Sequence, residues 1–185
     1  MKFELIFDVA SGLQALHYND IVHNDIKSSN ILLFSSRKEK KQIIAKISDF
    51  GCSVLLASKA TKSAAATLLF APPEAYSSSY VVHPSRDIYS FGVLVLEIIG
   101  QRRPFMSSEG LGNLWEFKKD EAKMLQYTAQ RIKESVNREG FDLLGLCISL
   151  LRADPADRLS DLSSIRSILT KDHPPNNPIW LSDSR

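Results

Sequence analysis

The sequence lacks the features that mark several protein classes. Only two cysteines occur among 185 residues. Cys52 and Cys147 lie far apart and form no C-x-x-C pair, which argues against a zinc site or a secreted cross-linked fold and favours a reducing compartment. Neither charge dominates, because 23 Lys and Arg against 21 Asp and Glu give a formal net charge of +2. The usual electrostatic argument for a nucleic-acid partner is therefore missing.

Long apolar runs and targeting signals are also missing. The most apolar stretch, residues 91–99, contains Glu97 and has about half the length needed to cross a bilayer. The chain start carries Glu4 and no apolar core with a small-residue cleavage site, so it does not read as a signal peptide. We predict an intracellular protein, cytoplasmic or nuclear, that has no membrane partner and begins at Met1.

What is present fits one globular domain. The chain is 44% apolar and 24% charged, which is typical of soluble domains, and its length allows a sizeable core without disulfides. The last residues, 172–185, are rich in proline and polar side chains. We predict one domain over residues 1–171 and a tail over residues 172–185.

The hydrophobic pattern predicts a mainly α domain. Apolar residues at helical spacing follow one another from Phe3 to Leu16, which is typical of an amphipathic helix. Two runs with high β propensity are separated by a polar, basic segment and predict a hairpin. The predicted strands are 31–34 and 43–47, and the further predicted helices are 88–99, 114–136, 141–151 and 160–169. The result is a mainly helical domain with one embedded hairpin.

Three short strings suggest chemistry. They are His-Asn-Asp-Ile-Lys-Ser-Ser-Asn at 23–30, Asp-Phe-Gly at 49–51 and Pro-Pro-Glu at 72–74. Taken singly, each can be a turn, a loop hydrogen-bond pair or a cap. Here the first string leads into the first hairpin strand and the second ends the second strand. In this order and context, the sequence resembles the protein kinase family, specifically its helical C-terminal lobe.

The resemblance implies ATP and Mg²⁺ as cofactors, and the residue types agree with that chemistry. Phosphoryl transfer needs hard oxygen ligands for Mg²⁺, which Asn30 and Asp49 would supply as metal and cofactor ligands. Asp25 would accept or orient the proton of the substrate hydroxyl. Lys27 would bind the cofactor and neutralise charge on the transferred phosphoryl group. Because the histidines and cysteines have no metal-ligand spacing, we predict no other metal site.

Thr67 extends the predicted catalytic group. Residues 66–74 are similar to the segment where the activation loop of the family ends, with Ala66 in a place where glycine is usual. In serine/threonine kinases, a threonine at the position of Thr67 touches the catalytic Asp and Lys through its hydroxyl. The resemblance therefore favours serine or threonine over tyrosine as the acceptor.

Two structural contacts are also implied by the resemblance. Residues 86–92 are similar to the start of the family's central buried helix, where Asp87 would bind backbone amides of the loop at His23. Residues 154–158 resemble a late motif whose arginine pairs with the glutamate of Pro-Pro-Glu. We therefore predict a buried, bidentate ion pair between Glu74 and Arg158.

Two departures from the family pattern bear on activity. Asn24 stands where an arginine usually grips a phosphate on the activation loop, so we predict that loop phosphorylation does not activate this protein in the usual way. Nothing before Phe3 can supply the Gly-rich loop, the strand lysine or its glutamate partner. We therefore expect the N-terminal β lobe to be absent and the 185 residues to have little or no kinase activity alone.

Three hypotheses follow. In the first, the chain is the C-terminal lobe of a serine/threonine protein kinase that transfers phosphoryl groups from ATP to protein substrates. In the second, it is a catalytically inactive kinase-like module that binds protein partners through its helical lobe and the bare cleft face. In the third, it is an incomplete gene product without a stable fold of its own.

Overall fold

The fold is mainly helical. The computed structural model describes residues 2–35, 43–56, 67–77, 80–106, 109–135, 143–159, 161–163, 165 and 168. Over these residues the elements are α1 (Lys2–Tyr18), β1 (Ile21–Val22), β2 (Ile31–Ser35), β3 (Ile43–Ile47), β4 (Val54–Leu55), α2 (Pro84–Gly100), α3 (Leu114–Lys119), α4 (Glu121–Ser135) and α5 (Leu143–Leu150). No helix of the described part is long and apolar enough to span a membrane.

Helix α2 forms the centre of the core. It packs against α1, α4 and α5. Its own buried residues lie on nearly every face, which is typical of a helix in the middle of a core. The helix begins one turn before the predicted 88–99, at Pro84, since proline suits the first helical position. The ring nitrogen Nδ1 of His83 caps this end by accepting the N–H of Ser85 at 3.2 Å.

Gly92 allows α2 and α5 to approach closely. A Cβ at this position would lie 2.9 Å from Leu150 Cβ and 2.9 Å from Leu151 Cδ2. We expect Gly92→Ala to lower the free energy of unfolding by about 1–3 kcal/mol in urea titrations, because overpacking outweighs the gain in helix propensity. The matched control is Gly12→Ala in α1, where a Cβ meets only the mobile end of Ile47 at 3.3 Å. Equal effects of the two variants would contradict this prediction.

The predicted hairpin is confirmed. Strands β2 and β3 pair antiparallel, with Ile31 opposite Ile47 and Ser35 opposite Ile43. The hairpin lies against α1, where the Asp8 carboxylate accepts the backbone N–H of Ala45 at 2.9 Å. Its predicted basic tip lies outside the described residues.

A second small sheet was not predicted. Strands β1 and β4 pair antiparallel, with Ile21 opposite Leu55 and Val22 opposite Val54. The backbone N–H of Leu56 also bonds the carbonyl of Asp20 at 2.9 Å. This sheet holds the chain before the 23–30 string against the chain after the Asp-Phe-Gly string.

The single helix predicted over 114–136 is wrong, because the chain forms α3 and α4 instead. Asp120 separates them in an extended conformation, and its carboxylate accepts the backbone N–H of Lys123 at 3.1 Å. An aspartate that caps the first turn of a new helix favours this break. Hydrogen bonds from Lys123 hold the pKa of the Asp120 carboxyl below its ordinary value.

Candidate functional site

The loop at 23–30 is held by one buried carboxylate at the start of α2. Asp87 is fully buried and accepts the backbone N–H groups of His23 and Asn24, each at 2.8 Å. His17 Nε2 lies 3.0 Å from Asp87 Oδ2. The predicted contact between Asp87 and this loop is therefore confirmed. Because a buried carboxylate needs such donors, α2 and the loop form one unit.

Asn24 ties the same loop to the segment after Asp-Phe-Gly. Its φ of 70° lies in the left-handed region, which asparagine tolerates better than most residues. Its side chain is buried, and its amide nitrogen donates to the carbonyl of Cys52 at 3.2 Å. A neutral side chain in this position offers no cation to a phosphate.

Four of the predicted site residues are in direct contact around the Asp25 carboxylate. Lys27 Nζ lies 2.6 Å from Asp25 Oδ2, and the amide nitrogen of Asn30 lies 3.2 Å from the same oxygen. The Thr67 hydroxyl donates to Asp25 Oδ1 at 3.3 Å and accepts from Lys27 Nζ at 3.0 Å. The predicted contacts of Thr67 with Asp25 and Lys27 are therefore confirmed.

Asp49 adjoins this group through the backbone. Both the N–H and the hydroxyl of Ser48 donate to the carbonyl of Asn30, each at 2.9 Å. The next residue, Asp49, has a left-handed φ of 63°, is exposed and accepts the N–H of Gly51 at 3.3 Å. This role of Ser48 was not predicted. Because Ser48 binds the backbone of Asn30, the neighbouring Asp49 is held close to the loop that contains Asn30.

The donor set suits Mg²⁺. The Asn30 amide nitrogen is directed at Asp25, because it also donates to the Asp25 carbonyl at 2.8 Å; the amide oxygen is the remaining acceptor. Together with the Asp49 carboxylate it would offer two hard oxygen atoms to a cation. Mg²⁺ binds proteins through one or two such groups and takes its other ligands from phosphates and water. In the part of the chain with described side chains, no three His, Cys, Asp or Glu residues could hold a metal among themselves.

The predicted ion pair between Glu74 and Arg158 is confirmed. The two pairs of atoms, Nη1 with Oε1 and Nη2 with Oε2, are 2.5 and 2.7 Å apart. The Arg158 side chain is only 1% exposed and that of Glu74 20%. Arg158 also donates to the carbonyls of Ser85, Arg152 and Ala153. The pair therefore joins the Pro-Pro-Glu string to the start of α2.

Sequence reasoning missed Lys118. This side chain is fully buried and donates to three carbonyls of the segment that follows Thr67. Its neighbour Lys119 is exposed, so two adjacent lysines have opposite environments. No pattern in the sequence distinguishes them.

Comparison with known families identifies the fold. The family model described as the protein kinase domain matches residues 3–173. The chain belongs to the protein kinase family. Its fold is the helical C-terminal lobe of a protein kinase with the small hairpin embedded in it.

Curated relatives agree with this assignment. Calmodulin-binding receptor-like cytoplasmic kinase 3 of Arabidopsis thaliana is 30% identical over 84% of this chain. A G-type lectin S-receptor-like serine/threonine-protein kinase of the same plant is 31% identical over 85% of it. The chain spans 32% of the first relative and 19% of the second.

A solved structure supports the fold alone. The crystal structure of the yeast RNA Pol II CTD kinase CTDK-1 complex includes a chain that superposes with a TM-score of 0.68 at 23% identity. The match covers 96% of this chain and 63% of the yeast chain.

Proposed function

We propose that this chain provides the catalytic residues for phosphoryl transfer from ATP to serine or threonine side chains of proteins. The observation that supports this most strongly is the hydrogen-bonded group of Asp25, Lys27, Asn30 and Thr67. Mg²⁺-bound ATP would supply the transferred phosphoryl group and its leaving group. The kinase-like domain is proposed to extend over residues 1–171, with residues 172–185 as its tail; location in the cytoplasm or nucleus stays a prediction.

Each side chain has a distinct role in the proposal. Asp25 orients the acceptor hydroxyl and takes its proton, since its carboxylate is held in place by three donors. Lys27 lies beside that carboxylate and would neutralise charge on the phosphoryl oxygens. The Thr67 hydroxyl, which bridges Asp25 and Lys27, holds both in place.

Asn30 and Asp49 are the proposed Mg²⁺ ligands. The Asn30 side chain is fixed by two hydrogen bonds from its amide nitrogen to Asp25, which leaves its amide oxygen as the group that would bind a cation. The exposed carboxylate of Asp49 is accessible to a phosphate-bound ion. Two protein ligands leave room for phosphate oxygens, as Mg²⁺ requires.

The acceptor preference tests the proposed function. In the longest natural form of the protein, with Mg²⁺ and labelled ATP, we expect transfer to serine and threonine peptides to exceed transfer to tyrosine peptides by roughly tenfold or more, because the Thr67 bridge shapes the acceptor site. Peptides that differ only in the acceptor residue are the matched control. Equal transfer to tyrosine, or none to any peptide, would contradict the proposal.

Loop phosphorylation gives a second test. Because Asn24 carries no charge and its amide is bound to Cys52, we expect phosphatase treatment to change the activity of the full-length protein by less than about twofold. The variant Asn24→Arg should create a phosphatase-sensitive activity if the loop carries a phosphate. If phosphatase treatment caused a large loss of activity in the wild-type protein, this role of Asn24 would be contradicted.

A second candidate function rests on a different observation. Large apolar side chains are exposed on the hairpin and beside it, at Leu32, Leu33, Phe34 and Phe50. Exposed apolar surface of this kind often binds another protein surface. The alternative is therefore a catalytically inactive kinase-like module that binds a protein partner through this face. It predicts that Leu33→Lys abolishes partner binding while Asp25→Asn does not.

A further inference from the structure

Lys118 occupies an unusual position for a lysine. It lies in the last turn of α3 and is fully buried. Its Nζ donates to the carbonyl oxygens of Leu68, Leu69 and Ala71 at 3.1, 2.8 and 2.7 Å. An ammonium group has three N–H donors, so each donor has one backbone acceptor.

The surroundings of the ammonium group contain aromatic rings and one more distant carboxylate. The Nζ atom lies 5.5 Å from the ring centre of Tyr89 and 5.2 Å from that of Phe105. Burial lowers the pKa of Lys118 to about 7, and the Glu74 carboxylate acts in the opposite direction. A buried ammonium without acceptors is strongly unfavourable. The three carbonyls therefore stabilise the ammonium group at this buried position.

The carbonyls bound by Lys118 belong to a turn that begins at Thr67. The Thr67 carbonyl accepts the N–H groups of Phe70 and Ala71 at 2.9 and 3.2 Å. The Phe70 carbonyl accepts the Ser90 hydroxyl of α2 at 3.0 Å. With the three bonds from Lys118, every carbonyl from 67 to 71 has a donor. The turn is thus fixed along its whole length.

We infer that Lys118 is a positioning residue that holds the 67–71 turn so that the Thr67 hydroxyl lies between Asp25 and Lys27. It touches none of these three side chains and acts on them through the backbone of the turn. The catalytic meaning of this role depends on the proposed function. The mechanical link from α3 to Thr67 does not.

A double-mutant cycle on melting temperature tests the link. Lys118→Met removes the ammonium group but keeps a side chain of similar length. Thr67→Val removes the bridging hydroxyl but keeps a side chain of similar shape. In the wild-type background we expect Thr67→Val to lower the melting temperature by about 2–4 °C. Lys118→Met should lower it by roughly 5–10 °C, and in that background Thr67→Val should have almost no further effect.

Lys123→Met is the matched control. Lys123 is exposed and pairs only at the surface with Asp120, so its loss should leave the full effect of Thr67→Val unchanged. Additive effects of Lys118→Met and Thr67→Val would overturn the inference and leave Lys118 as a residue that stabilises the core only.

A milder variant covers the case in which Lys118→Met does not fold. Lys118→Arg keeps the charge, but its planar group cannot direct three N–H bonds from one atom to three carbonyls. Amide hydrogen exchange at Phe70 and Ala71 should be at least about tenfold faster in Lys118→Arg, and unchanged exchange would overturn the inference. Neither readout uses ATP. If the protein shows this coupling but transfers no phosphoryl group, the proposed function is contradicted and the inference about Lys118 stands.

Discussion

Replacing Arg158 by methionine is expected to lower the free energy of unfolding by about 3–5 kcal/mol, the usual cost of removing one partner from a buried ion pair. The variant leaves the Glu74 carboxylate without its bidentate partner. It also removes the donors to the carbonyls of Ser85, Arg152 and Ala153. Because the free energy of unfolding of a domain is only about 5–15 kcal/mol, this loss should appear as a large decrease in the midpoint of urea unfolding.

An exposed arginine provides the control for this prediction. Arg102 is 55% exposed; it pairs with Glu134, which is 47% exposed, and at 3.4 Å with Glu109, which keeps a second partner in Arg131. Arg102→Met should cost no more than about 1 kcal/mol, because solvent screens such pairs. The double variant Glu74→Gln with Arg158→Met should recover part of the loss, since no unpaired charge remains. If Arg158→Met and Arg102→Met cost the same, the Glu74–Arg158 pair does not join the two segments as described.

Replacing Asp25 by asparagine is expected to lower kcat by about 10²- to 10⁴-fold, the range for loss of a positioned general base. The carboxylate accepts hydrogen bonds from Lys27, Asn30 and Thr67. An amide at this position would direct its own N–H₂ group at one of these donors and could not take a proton from the acceptor. With the longest natural form of the protein, steady-state transfer to a serine peptide gives kcat, and a separate ATP titration shows whether binding persists.

Asp8→Asn is the control for the Asp25 variant. Asp8 is a half-buried carboxylate on α1 that accepts one backbone N–H from Ala45, away from the Asp25 group. Burial raises the pKa of Asp8 above its ordinary value, so its neutral amide analogue is well tolerated. We expect less than about a threefold change in kcat. An Asp25→Asn protein with the wild-type kcat and melting temperature would contradict the role given to Asp25.

Much of the site could be predicted because its chemistry depends on residue type and order. Asp25, Lys27 and Asn30 lie within one short loop, and β2 begins at the next residue. Strand β3 has the predicted bounds, because three of its five residues are isoleucines, whose branched side chains favour strands. The Glu74–Arg158 pair joins residues 84 positions apart, and only the resemblance to a family connected them.

The remaining features depend on tertiary packing. The pairing of β1 with β4 involves two residues from each strand, too few to produce a period in the sequence. Lys118 and Lys119 are neighbours of the same type, and only the docking of α3 against the 67–71 turn buries the first. Arg131 is buried in the same way, between Glu109, Tyr127 and the carbonyls of Leu96 and Arg102. Charged residues are mostly exposed, so sequence reasoning assigns such residues to the surface.

In the proposed function, Asn30 and Asp49 bind one metal ion beside Asp25. Mn²⁺ accepts the same oxygen ligands as Mg²⁺, and its unpaired electrons broaden nearby NMR signals. In the presence of ATP, substoichiometric Mn²⁺ should broaden the signals of Asn30, Asp49 and Gly51 together, and Asp49→Asn should abolish this broadening at Asn30 and Gly51. Broadening elsewhere with these signals unchanged, or persistence of the pattern in Asp49→Asn, would contradict the central claim.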